Sequence, residues 1–110
     1  MSKISLVDSL KSLSDDHSLF RKFFSHGLLE IELYKPEGVD LQKPHDRDEI
    51  YVVASGSSHF TVGAKEYDAV VGDVLFVAAG IEHRFSQFSD DFATWVFFYG
   101  PEGGECPQVD

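Results

Sequence analysis

Apolar residues at Ile4, Leu6, Val7, Leu10 and Leu13 recur at three- and four-residue steps, the period of one face of a helix. The pattern predicts a short amphipathic helix that ends near "SDDH", where apolar positions stop. Beyond it the period shortens to two. In "LLEIELY", Leu29, Ile31 and Leu33 alternate with Glu30, Glu32 and Tyr34, the mark of a half-buried strand. "FRKFF", joined to it through "SHG", predicts the other arm of a hairpin.

From Glu49 onward, apolar segments and turn signals alternate closely. Glu49–Ala54 leads to Ser55-Gly56, His59–Val62 to Gly63, and Tyr67–Val71 to Gly72-Asp73. Val74–Val77 leads to Ala79-Gly80, His83–Phe88 to Ser89-Asp90, and Phe92–Tyr99 to Gly100-Pro101. Short strands at this spacing, with no helical period between them, predict an all-β antiparallel sandwich or barrel. The last strand, "FATWVFFY", is apolar on both faces. Phe92, Val96 and Phe98 can fill a barrel. Ala93, Trp95, Phe97 and Tyr99 need cover from the N-terminal helix or from a second subunit, and a homodimer is expected.

Composition narrows the function classes. The 110 residues suit one domain, and a chain of this size buries roughly two-thirds of its surface without staples. Its parts are expected to be a helical arm over 1–17, a barrel over 18–100 and a polar tail over 101–110. Nine basic residues against nineteen acidic ones give a net charge of −10, which disfavours nucleic-acid backbones and anionic membranes as partners. The single cysteine, Cys106, has no partner for an internal disulfide, so a reducing, cytoplasmic setting is the default. "MSKISLVDSL" lacks the apolar core of a signal peptide, and no run of the sequence is apolar enough to span a membrane.

Two segments carry candidate chemistry. In "KPHDRDEIYVVASG", His45 and Glu49 are four apart, and an even spacing in an extended strand puts both on one face. In "GDVLFVAAGIEHRF", His83 opens a strand after the Ala79-Gly80 turn. Alone, "HDRDE" reads as a solvated acidic turn and His83 as a strand-edge histidine. Were the two strands to adjoin, His45, Glu49 and His83 would form a two-imidazole, one-carboxylate set suited to Fe(II), Mn(II), Zn(II) or Ni(II). Parity places Tyr51 and Val53 with Glu49, and Phe85 and Gln87 with His83. Lys43, Tyr51 and Gln87 are then the polar groups expected to meet a ligand. His59 falls on the outward parity, and His17 and His26 lie in polar stretches or turns.

These two segments resemble the motifs of small single-domain cupins, G-x5-HxH-x3-4-E-x6-G and G-x5-P-x-G-x2-H-x3-N. His45 matches the second histidine of the first motif, Glu49 its glutamate and Gly56 its closing glycine. Gly72, Gly80 and His83 match the second motif. Four positions depart from the pattern: Lys43 stands at the first histidine, Ala78 at the proline and Gln87 at the asparagine, and Gly38 lies one residue closer than expected. The resemblance implies a double-stranded β-helix (jelly-roll) barrel and a divalent metal held by three ligands in place of four. It also implies a small-molecule ligand. Dioxygenase, decarboxylase or isomerase activity is one expectation, and a non-catalytic ligand- or metal-binding module is the other.

Overall fold

A computed structural model describes residues 2–106. Helix α1 spans Leu6–Asp15. Its N-cap is Ser5, whose hydroxyl accepts the Asp8 amide at 3.2 Å, and Asp8 itself places a negative charge in the first turn. Eight strands follow: β1 (Phe20–His26), β2 (Leu29–Tyr34), β3 (Asp48–Ser55), β4 (Ser57–Val62), β5 (Lys65–Val70), β6 (Val74–Val77), β7 (His83–Ser86) and β8 (Ala93–Tyr99). They form a five-stranded sheet in the order β1-β2-β8-β3-β6 and a three-stranded sheet in the order β5-β4-β7. All pairings are antiparallel. The helix and the antiparallel β-barrel are as the sequence predicts. No helix among the described residues is long and apolar enough to cross a membrane.

The main core lies between the two sheets. Tyr51 and Val53 from β3, Phe60 from β4, Phe85 from β7, Val96 from β8 and Phe92 just before it are all buried. Phe85 is the hub, with ring centroids 4.6 Å from Phe60 and 4.9 Å from both Tyr51 and Phe92. Tilted and edge-on rings at these distances add to the roughly 2–3 kcal/mol that burying each phenyl ring contributes. A second cluster lies outside the large sheet. There Leu6, Leu10 and Leu13 of α1 cover Leu33, Ala93 and Trp95. The helix therefore supplies part of the cover that the two-faced last strand requires.

Most strand bounds shift by one or two residues from the sequence expectation, and one of these shifts bears on the site. The segment His83–Phe88 holds strand geometry only to Ser86, because Gln87 turns to a left-handed φ of 51°. Parity cannot be carried past that point, and Gln87 is exposed.

Gly56 turns β3 into β4 with φ of 69°. A Cβ there would lie 2.7 Å from the Phe92 backbone and 2.7 Å from Asp91 Oδ1, with Ser89 Oγ pressed against it as well. Both the backbone conformation and the space demand glycine. Gly56→Ala is expected to cost about 2–3 kcal/mol, read as a lower urea midpoint at unchanged slope; a variant with the wild-type midpoint would contradict this account.

Candidate metal centre

The triad forms because two loops are tied together at the end of the barrel. The Gly80 amide donates to the His45 carbonyl at 2.8 Å. The Ala79 amide donates to Asp48 Oδ1 at 2.9 Å, and the Glu105 amide to Asp48 Oδ2 at 2.8 Å. These bonds hold the β6–β7 turn against the start of β3, so His83 enters β7 directly opposite Glu49. The result is a cluster of His45, Glu49 and His83 whose potential ligand atoms all lie within 4.8 Å of one another.

Burial differs sharply across the three. The side chains of Glu49 and His83 are 1% and 0% exposed, whereas His45 is 35% exposed. His45 Nδ1 lies 3.1 Å from Glu49 Oε1, and its ring packs edge-on against Phe98 at 5.0 Å. His83 Nδ1 lies 2.9 Å from the Ile81 carbonyl. A carbonyl only accepts, so Nδ1 carries a proton, and in the neutral ring Nε2 presents a lone pair. That lone pair sits 3.0 Å from Glu49 Oε1. His83 Nε2 and Glu49 Oε2 are both buried without a hydrogen-bond partner among the described residues. Two facing acceptors at this distance repel unless a proton or a cation lies between them. The donor set of two imidazoles and one carboxylate, with one carboxylate oxygen left over, fits a divalent transition-metal ion.

The polar residues around the triad are mutually satisfied. The Tyr51 hydroxyl donates to Gln42 Oε1 at 3.0 Å, and burial, with Glu49 close by, raises its pKa well above the ordinary value. Gln42 Nε2 donates to Asp40 Oδ2 at 3.0 Å. Asp40, fully buried, also accepts the Tyr34 hydroxyl at 2.6 Å and the backbone amide of Phe85 at 2.9 Å. The long β2–β3 connection is thereby fastened to both sheets.

A cavity of about 790 Å³ opens beside the triad, within the range of small-ligand sites. His45 is the triad member that lines it. Glu30, Glu32 and Tyr34 line the wall from β2, Val96 and Phe98 from β8, and Gln42 and Arg47 from the β2–β3 connection. The alternation in "LLEIELY" is therefore turned with its polar side inward, while Leu33 faces the helix. Arg47 donates through Nε to the Gly100 carbonyl at 3.0 Å and through Nη1 to Glu30 Oε1 at 3.3 Å. Burial, then repulsion from Glu30, raises the Glu32 carboxyl above its ordinary value.

Of the sequence-expected site residues, the structure brings His45, Glu49 and His83 together. Tyr51 is fully buried and reaches the cavity through Gln42. Lys43 and Gln87 are exposed and do not line the cavity. For Gln87 the reason is the early end of β7. Lys43 lies on the irregular segment before β3, where strand parity does not apply. His59 faces outward, with Nδ1 3.2 Å from Asp68 Oδ1 and Nε2 3.7 Å from Glu66 Oε1. Sequence reasoning missed Glu30, Glu32, Gln42 and Arg47. The signal for the first two was the polar stripe of β2, which alternation alone cannot assign to a face.

The family profile described as "Cupin domain" matches residues 30–99, well over half of the chain. The chain is a cupin. An uncharacterized protein of Streptomyces coelicolor is 35% identical over 85 residues, covering 76% of this cupin and 81% of that protein. Among solved structures, a cupin-2 domain containing protein from Shewanella frigidimarina superposes with a TM-score of 0.71 at 20% identity, over 88% of this chain and 94% of that one. A protein of unknown function from Rhizobium leguminosarum gives a TM-score of 0.69 at 16% identity, over 90% and 96% of the two chains. At such identities the structural likeness establishes the cupin fold alone.

The metal-free cupin should carry its triad in its pH dependence. Burial alone would raise the Glu49 carboxyl, but the contacts from His45 and His83 outweigh it and hold it below its ordinary 4.5. Burial alone would lower His83, but Glu49 and the Ile81 carbonyl outweigh it and hold it above its ordinary 6.5. The His83 contribution is complete below pH 6.5 and fades as pH rises through the raised value; that of Glu49 is complete above pH 4.5 and fades as pH falls through the lowered one. Together they stabilise most between pH 4.5 and 6.5. Thermal unfolding of metal-free protein should show a decline on the alkaline side that His83→Gln flattens. An identical alkaline decline in that variant would assign it to other groups.

Proposed function

We propose that this cupin is a small metal-dependent enzyme that holds one divalent cation between His45, Glu49 and His83. Iron, manganese, zinc and nickel all suit the donor set, and the adjoining cavity would bring a small organic molecule to the site. The observation that carries the reading is the buried pair His83 Nε2 and Glu49 Oε1, 3.0 Å apart, which needs a proton or a cation between its atoms. A bound cation would supply Lewis acidity, or redox chemistry where the metal allows it. The chain's own residues do the rest. The Ile81 carbonyl fixes the His83 tautomer, the ties at Gly80 and Ala79 hold the two loops, and Tyr51 orients Gln42 at the cavity wall. Phe98 shields one side of His45 from water.

Dioxygenase, decarboxylase and isomerase chemistries share such a centre. The second reading, a non-catalytic ligand- or metal-binding module, is favoured by Lys43 at the first-histidine position, which leaves one donor fewer than the family motif. A cytoplasmic setting belongs to the same proposal, since the single cysteine, Cys106, is free and exposed.

A homodimer does too. Across all five strands, Phe24, Ile31, Phe97, Ile50 and Phe76 stand in direct cross-strand register on the outer face, beyond the cluster covered by α1. Phe76, on the edge strand, is 55% exposed. An apolar row of this length is a natural seat for its own copy, since the same patch serves both partners of a two-fold pair.

Protein purified without added metal is expected to carry close to one ion per chain by elemental analysis, and His45→Ala/His83→Ala to lose it; stoichiometric retention by the double variant would move the site elsewhere. Oxygen uptake across a panel of small metabolites, with metal-loaded protein, tests the dioxygenase form directly. In solution, light scattering should give twice the chain mass for the wild type and the single mass for Phe76→Glu. A monomeric wild type at micromolar concentration would sink the dimer.

A further inference from the structure

The cavity beside the triad holds negative charge that its own cation does not neutralise. Glu30, Glu32, Asp46 and Glu102 line it against one guanidinium, Arg47, with Lys22 on the flank, cross-strand from Glu32 and 3.9 Å from Glu30. Arg47 is already committed to Glu30 and to the Gly100 carbonyl. Glu32 projects from the same inward stripe of β2, half-buried, with no hydrogen-bond or ion-pair partner among the described residues. A carboxylate in a concave, partly dry wall calls for a cation.

The remaining lining is apolar. Leu19, Phe20, Val39 and Leu41 form the mouth and are 38%, 60%, 55% and 75% exposed, with Phe98 deeper in. Apolar surface concentrated at a cavity mouth marks a ligand's body and not a hydrated ion. At the inner end stands His45, the one triad member in the wall, with Tyr34 and Gln42 beside it. The carboxylates thus belong to a built cavity and not to a solvated acidic face.

We infer that this cavity takes an organic cation, a protonated amine whose ammonium group pairs with Glu32 and whose apolar body lies against Phe20, Leu41 and Phe98. The two phenyl rings favour such a cation further through their faces. In the metal-free chain a phosphate or carboxylate ligand would instead meet like charge. The inference rests on the cavity being the ligand site of the proposed function, and it does not require the metal.

Phenethylamine, phenylacetate and phenethyl alcohol share one apolar body and differ in charge, so calorimetric titration of each into the full chain isolates the headgroup. In metal-free wild type, the amine should bind at least about tenfold more tightly than the acid or the alcohol, the scale of one charge-assisted hydrogen bond. Glu32→Gln should erase that advantage while leaving the affinity for the alcohol unchanged. An amine that binds no more tightly than phenylacetate, or does not bind, overturns the inference; so does a Glu32→Gln protein that keeps the preference. The wild-type comparison needs no variant to fold. Loss of the preference in metal-free Glu32→Gln reports on Glu32, whereas metal loss from the His45/His83 variant reports on the ion, so either can fail without the other.

Discussion

A single carboxylate oxygen, Glu49 Oε1, stands 3.1 Å from one imidazole nitrogen and 3.0 Å from another, inside a barrel otherwise filled with phenyl rings. Such a group is expensive to bury, and it stays only because the surrounding chain leaves it no alternative. Three backbone amides do most of this. Those of Gly80 and Ala79 bind the β6–β7 turn to His45 and Asp48, and that of Glu105 closes over Asp48 from the other side. The polar centre is thus a product of loop geometry, and the strands supply only its direction.

The barrel has two unlike ends. Around Phe60, Phe85 and Phe92 the sheets meet through packed aromatic rings. Around His45 and β2 a cavity opens, lined by β2, β8 and the β2–β3 connection. The division follows from what β2 turns inward. Two glutamates on its inner face cannot pack against Phe85 and its neighbours, so that part of the strand lines a wet wall, while Tyr34 joins the core and Leu33 faces α1. The helix makes this inversion tolerable. By covering Leu33, Ala93 and Trp95 it provides the dry surface that β2 and β8 would otherwise lack.

Much of the plan was legible in the sequence, and for identifiable reasons. Strands punctuated by glycine turns announced the barrel, and Gly56 sits where both its φ and its neighbours forbid a side chain. His45, Glu49 and His83 were readable because their joint spacing to Gly56, Gly72 and Gly80 follows the two cupin motifs. What escaped were features set by tertiary context. Alternation in β2 marks two faces but does not say which is inner. Gln87 left the strand through a left-handed turn that nothing nearby in the sequence announces. Arg47 looked like part of a solvated turn, yet it reaches Glu30 and Gly100 only once β2 and β8 lie beside it.

Asp40 adds a different kind of consequence. Without any solvent exposure, it gathers the Tyr34 hydroxyl, the Phe85 amide and both amide groups of Gln42, and its carbonyl receives Arg84. The connection it anchors is therefore framework and not flap, while its neighbours Val39 and Leu41 hang free at the rim. Selectivity in such a protein is separable from architecture. Rim side chains can be exchanged one at a time, over evolution or by design, without loosening the scaffold that aims the imidazoles.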